Sequence, residues 1–145
     1  MKKVFLALML ALVAGLGASA KDVYSRNVNV LPVAARSTLK SNFKAGVSLI
    51  KSDKDFGRVS EYDVILTDGC EVTFDRSGNW KEIECPANRS VPERMVPQGI
   101  CNYVKNNHGK ARIVGIERKA SGYEVELSNG VDIKFNRQGR FLKYD

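Results

Sequence analysis

Twenty-three residues, Tyr62–Glu84, lie without a gap over Tyr123–Asp145, and the match leaves few folds open to this chain. Tyr62/Tyr123, Val64/Val125, Leu66/Leu127, Gly69/Gly130, Phe74/Phe135, Arg76/Arg137 and Gly78/Gly139 are identical, and Asp63/Glu124, Val72/Ile133 and Trp80/Phe141 keep their character. Upstream, Leu31-Pro32 falls on Val96-Pro97 and Leu39 on Val104. One residue of slippage brings Val47–Ile50 onto Ile113–Ile116. A chain that repeats itself at such a period is read as one supersecondary unit used twice.

Each unit reads the same way. A proline at the first helical position, followed by apolar residues at helical spacing, predicts a short amphipathic helix; these are Val33, Ala35, Leu39 and Phe43 in one unit, Ile100, Tyr103 and Val104 in the other. Short apolar strands at 47–51 and 113–117 follow. Strict alternation at Tyr62–Leu66 and Tyr123–Leu127 then puts Tyr, Val and Leu on one face of a strand. Asp68-Gly69 and Asn129-Gly130 predict two-residue type I′ hairpins. Return strands at 70–74 and 131–135, a turn, and last strands at 80–85 and 141–144 complete the unit. The expected fold is α+β: two tandem repeats, each a helix plus a four-stranded antiparallel meander, with the helices packed on one face of an eight-stranded or two-part sheet. The first repeat occupies 21–85, including a leader at 21–30 of no assigned shape. Residues 86–95, with Pro86, Asn88, Ser90 and Pro92, are the linker, and 96–145 form the second repeat.

The first twenty residues differ from the rest. Lys2-Lys3, the apolar run Val4–Leu16 and Ala18-Ser19-Ala20 have the form of a secretory signal cleaved after Ala20. The apolar run is shorter than the roughly 20 residues a bilayer core requires, so no membrane insertion is expected once the signal is removed. Loss of two lysines takes the formal charge from +7 to +5, since 7 − 2 = 5. With 27% charged residues and a strong apolar pattern, disorder is excluded. The chain reads as a periplasmic or secreted globular protein.

Three cysteines in an exported chain permit one disulfide. If the second hairpin sets Val72 against Ile83, it also sets Cys70 against Cys85, the preferred pair; Cys85–Cys101 and a fully reduced chain stay open. Cys101 reads as a small buried hydrophobe in the second helix. His108, the single histidine, stands where the first repeat has Phe43 and reads as a packing residue. No nucleophile elbow, zincin helix, phosphate loop or Cys-x-x-Cys metal spacing occurs. Neither catalytic residues nor a cofactor nor a metal site is therefore expected. Nucleic acid is excluded as a partner, because no dense Lys/Arg stripe interleaves with stacking aromatics.

By alternation the outward face of the sheet carries Asp63, Ile65, Glu71, Thr73, Asp75, Trp80, Glu82 and Glu84 in the first repeat. In the second it carries Glu124, Glu126, Asp132, Lys134, Phe141 and Lys143. Basic residues such as Arg36, Lys40, Lys44, Arg94 and Lys105 fall on helices and connections. An acidic face with aromatic anchors suits a protein partner.

The Leu31-Pro32 start, the Asp68-Gly69 hairpin, the stretch Phe74-Asp75-x-x-Gly78-Asn79-Trp80-Lys81-Glu82-Ile83 and the run Gly122–Gly130 resemble the PepSY-like exported proteins of Bacteroides-type bacteria. That family is similar in fold to the beta-lactamase inhibitor protein. The resemblance covers roughly residues 30–145 and implies a periplasmic sheet that grips another protein, with no catalytic residue to carry over. The expected function is a non-enzymatic periplasmic binding module, an enzyme inhibitor being one form of it, that holds a periplasmic or secreted protein or peptide. Trp80 and Phe141 are its expected anchors, and Ile65, Glu82, Glu84, Glu124 and Glu126 select a basic or polar partner. The alternative is a sensor of Ca²⁺ or a small ligand.

Overall fold

The computed structural model describes residues 22–145, and the expected signal segment, residues 1–20, lies outside them. Nine strands form one antiparallel sheet in sequence order: β1 (Asp22–Ser25), β2 (Val47–Asp55), β3 (Arg58–Leu66), β4 (Glu71–Asp75), β5 (Trp80–Glu84), β6 (Ile113–Lys119), β7 (Gly122–Leu127), β8 (Asp132–Phe135) and β9 (Phe141–Tyr144). Helix α1 (Val33–Asn42) precedes β2 and helix α2 (Gln98–His108) precedes β6. The fold class is α+β.

Three expectations change. The leader is not shapeless: β1 pairs with β2 and supplies the ninth strand. The sheet is neither eight-stranded nor in two parts, because β5 pairs directly with β6 through Ile83–Ile116 and Glu84–Gly115. The stretch 86–95 is tied to the fold, with Val91 buried and its N–H donating to the Ile113 carbonyl.

The Asp68-Gly69 and Asn129-Gly130 hairpins also differ from the two-residue form. Gly69 and Gly130 take positive φ, but Asp68 and Asn129 do not. Each turn spans one more residue, and the Asp68 and Asn129 side chains accept from the N–H groups of Cys70 and Val131. A short polar side chain that caps a turn explains the same Asp/Asn-Gly pair as a type I′ turn does.

Alternation decides which face is core. Ile50, Tyr62, Val64, Leu66, Val72, Phe74, Ile83, Ile116, Val125, Leu127, Ile133 and Phe135 point one way. Leu31, Ala35 and Leu39 beside and in α1, and Ile100, Cys101 and Val104 in α2, close over them. Phe74 and Phe135 are fully buried, one under each helix-bearing half, and each contributes about 2–3 kcal/mol by leaving water. Helix α1 sits close because the turn before β5 has no side chain at Gly78. A Cβ there would lie 2.9 Å from the backbone nitrogen of Ala35.

Cys70 and Cys85 are joined by a disulfide that links β4 to β5, and Cys101 is a free, buried thiol. His108 is at the end of α2, where its Nε2 lies 3.2 Å from the Tyr144 hydroxyl.

Candidate functional site

The face of the sheet opposite the helices is built in rows by the strand register. One row runs Leu49, Ile65, Glu71, Glu84, Gly115, Glu126, Asp132 from β2 to β8. The next runs Lys51, Asp63, Thr73, Glu82, Glu117, Glu124, Lys134, Lys143 from β2 to β9. A third, shorter row holds Asp22, Asp53, Glu61 and Asp75. Cross-strand neighbours on one face lie about 4.5–5.5 Å apart at Cβ, so these carboxylates form a surface rather than a scatter.

Lysines occupy only the flanks of the two long rows. Lys51 Nζ lies 2.8 Å from Asp53 and 3.8 Å from Asp22. On the far side, Lys119 and Lys134 approach Glu124 at 2.8 and 3.5 Å, and Lys134 reaches Asp145 at 3.3 Å. Between them, over β3 to β6, the two rows hold Asp63, Glu71, Glu82, Glu84 and Glu117 with no lysine or arginine at any position. Gly115 leaves the row without a side chain between Glu84 and Glu126.

Crowded acids hold their protons. Burial, then the charges of Asp63 and Glu82, pushes the Glu71 carboxyl up to about 8. Burial, a hydrogen bond with Glu82 and the charges of Glu82, Glu126 and Glu71 push Glu84 up to about 9. Asp63 is raised by burial, against a 2.8 Å hydrogen bond donated by the Thr73 hydroxyl. Glu124, which burial would raise, is instead held below the usual range by Lys119 and Lys134.

For Glu71 and Glu84 the folded value is above the unfolded 4.5, so the native state binds more protons across the interval between them. Their contribution to stability is complete below about pH 4.5 and drains away as the pH rises through 8 to 9. Glu71→Gln with Glu84→Gln should flatten this slope. At pH 9 the double variant should be more stable than wild type by on the order of 1–2 kcal/mol, after allowance for solvent screening. Melting temperatures at pH 6 and pH 9 measure it, and an unchanged slope would contradict the shifts.

Two expected anchors are not on this face. Parity along β5 places Trp80 with Glu82 and Glu84, but a bulge at Lys81 shifts the register so that Thr73 opposes Glu82 while Phe74 opposes Trp80. Trp80 therefore sits on the helix side, half-buried against the core. The same shift recurs at Leu142, where Lys134 opposes Lys143 but Phe135 opposes Phe141. Phe141 stacks on Tyr103 of α2 with ring centroids 4.8 Å apart. An extra residue on one strand of a pair turns the following side chains to the other face. Trp80→Ala should accordingly cost about 2 kcal/mol in urea unfolding, between an exposed truncation and the 3–5 of a fully buried aromatic; a cost near zero would contradict the placement.

Ile65, Glu82, Glu84, Glu124 and Glu126 do lie together on the face away from the helices, with Glu82, like Glu71 and Thr73 beside it, buried and the other four half-buried. Leu49, Asp53, Glu61 and Glu117 belong to it as well and were not among the expected residues. Glu61 follows from extending the alternation of β3 upstream, whereas Leu49, Asp53 and Glu117 join the face through the pairings of β2 and β6. Asp53, Glu61 and Asp63 bring one carboxylate oxygen each within 4.8 Å of one another.

Residues 60–143 match a family model described as putative beta-lactamase-inhibitor-like, PepSY-like. Three solved structures are similar. A putative periplasmic protein of unknown function from Bacteroides vulgatus is 44% identical over 86% of this chain and 98% of its own, with a TM-score of 0.79. A putative calcium-regulated periplasmic protein from Bacteroides thetaiotaomicron is 36% identical over 86% and 96%, with a TM-score of 0.78. A putative periplasmic protein of the DUF2874 family from Bacteroides vulgatus is 36% identical over 88% and 99%, with a TM-score of 0.77. No curated protein matches the chain. No described helix is long and apolar enough to cross a membrane.

Proposed function

We propose that this chain, which belongs to the PepSY-like family, is a non-enzymatic periplasmic binding module whose acidic sheet face, away from the helices, holds a basic protein or peptide. Export fits the signal-like start of the sequence and the periplasmic descriptions of its relatives. The helix-plus-meander order occurring twice supports two copies of one unit fused at β5 and β6, in the manner of the beta-lactamase inhibitor protein.

The observation that carries the reading is the run of acids in the two long rows over β3 to β6, which hold no lysine or arginine there, although Lys81 pairs with Glu61 of the third row at 2.6 Å and Lys119 lies 3.9 Å from Glu117. Each acid is held near others of its kind, and an incoming ammonium or guanidinium relieves that repulsion while the proton it displaces leaves. Ile65 and Leu49, side by side at one end of the row, give the partner an apolar contact. Such a face discriminates by charge and accelerates encounter, and it can act by covering a partner's own site, as an inhibitor does.

A decapeptide alternating lysine with alanine, titrated calorimetrically, tests this. Binding should weaken steeply with salt, and Glu84→Lys with Glu126→Lys should weaken it by about tenfold or more. Affinity insensitive to the double reversal would remove the face from the account.

A second reading is calcium binding, favoured by the Asp53, Glu61 and Asp63 oxygens and by the calcium-regulated description of one relative. Lys51 already lies 2.8 Å from Asp53, which weakens that position for a cation. Millimolar CaCl₂ should raise the melting temperature if the reading holds, and Asp63→Asn should abolish the rise; no rise excludes it.

A further inference from the structure

We propose that the hollow between the two helices, walled by Trp80, Arg94, Arg118 and Tyr123, is a second binding site, for a small ring compound that carries a carboxylate. It lies on the side of the sheet away from the acidic face. The hollow has a volume of about 340 Å³, at the lower end of the range for small-molecule sites.

Its two cations, both exposed, are pre-positioned by contacts to backbone and ring. The β5 bulge that brings Trp80 to the helix side places its ring beneath Arg118 of β6, 4.3 Å from guanidinium carbon to ring centroid. Arg118 Nη2 donates to the Trp80 carbonyl at 2.6 Å, which fixes the plane of the group. Arg94, in the 3₁₀ turn Glu93–Met95, donates Nη1 to the Ser41 carbonyl at the end of α1, at 2.7 Å. Each guanidinium uses one donor on a backbone carbonyl and keeps the rest. Neither is within ion-pair distance of a carboxylate among the described residues. Two guanidiniums held by backbone bonds, with donors to spare, suit the two oxygens of a carboxylate better than mobile lysines do.

The remaining walls suit a ring with hydroxyls. Among the described residues, the Thr38 and Tyr123 hydroxyls make no hydrogen bond, and Asn42 spends its amide on the Thr38 carbonyl, which leaves its oxygen to accept. Met95, Val96 and Pro97 give an apolar side. The first turn of α2, which begins beyond Pro97, carries no acidic side chain.

Trp80 is the chain's single tryptophan, so its fluorescence reports on this hollow alone. D-Glucuronate is the probe, with D-glucose as its uncharged counterpart at matched ionic strength. The expected result is a saturable change in emission with glucuronate, weakened about tenfold or more with glucose and in Arg94→Met, which leaves the indole and its Arg118 partner in place. Arg118→Met, checked for folding by circular dichroism, should lose the response as well. Absence of a saturable change up to tens of millimolar, an equal response to glucose, or full retention in both variants would overturn the proposal.

Discussion

Gly122→Ala should lower stability by about 3 kcal/mol or more, the sum expected for left-handed strain and an unrelieved contact with backbone. Gly122 opens β7 at φ +144°, and a Cβ built there would stand 2.1 Å from the Phe135 carbonyl oxygen and 2.8 Å from the carbonyl carbon of Asn136. Those atoms are main chain at the end of the neighbouring strand, so no side chain can swing away. Either the start of β7 releases Lys119, its partner in β6, or β7 and β8 part beside Tyr123. Because Glu124 and Glu126 follow in β7, the acidic face should loosen with it. Gly46→Ala is the control: nothing lies within 4 Å of a Cβ at that position, so its effect should stay within about 0.5 kcal/mol. Urea unfolding of both variants measures the difference, and equal midpoints would show that the strands yield without cost.

The second large effect belongs to the disulfide. Cys70 and Cys85 close a loop with a sequence separation of 15, for which the chain-entropy model gives about 3 kcal/mol. Cys70→Ala with Cys85→Ala should lower the melting temperature by roughly 10 °C in a domain of this size. The bridge joins the residues immediately beside Glu71 and Glu84, a cross-strand pair at the centre of the acidic row. Its loss should therefore weaken basic-peptide binding as well as stability. Thiol titration of the denatured, unreduced protein should find one free thiol, that of Cys101. Three thiols would show that the bridge does not form.

Much of this arrangement could be read from the residues, and each exception has a physical cause. Alternation at Tyr62–Leu66 and Tyr123–Leu127 located β3 and β7, because a half-buried strand has to alternate. Pairing Val72 with Ile83 set Cys70 opposite Cys85, and that register holds because the β5 bulge lies beyond it, at Lys81. Trp80 was legible as an apolar residue but not as to its face, since the one-residue shift at Lys81 leaves no compositional mark. The clue was nonetheless in the repeat: Phe74 with Trp80 and Phe135 with Phe141 are apolar pairs that a shifted register unites, and an unshifted one separates. Strand β1 escaped notice because Asp22–Ser25 is an exposed edge, and edge strands carry little hydrophobic pattern. The contribution of β2 and β6 to the acidic rows depends on pairings far apart in sequence, which no local pattern specifies.

The sheet face, and not the helix side, is proposed to receive the basic partner. Amide chemical-shift mapping during titration with the lysine-alanine decapeptide tests it most directly. Shifts should concentrate at Ile65, Glu71, Glu84 and Glu126, with the Trp80 indole N–H unmoved. Shifts at Trp80 and along α1 and α2, with the carboxylate rows silent, would contradict it.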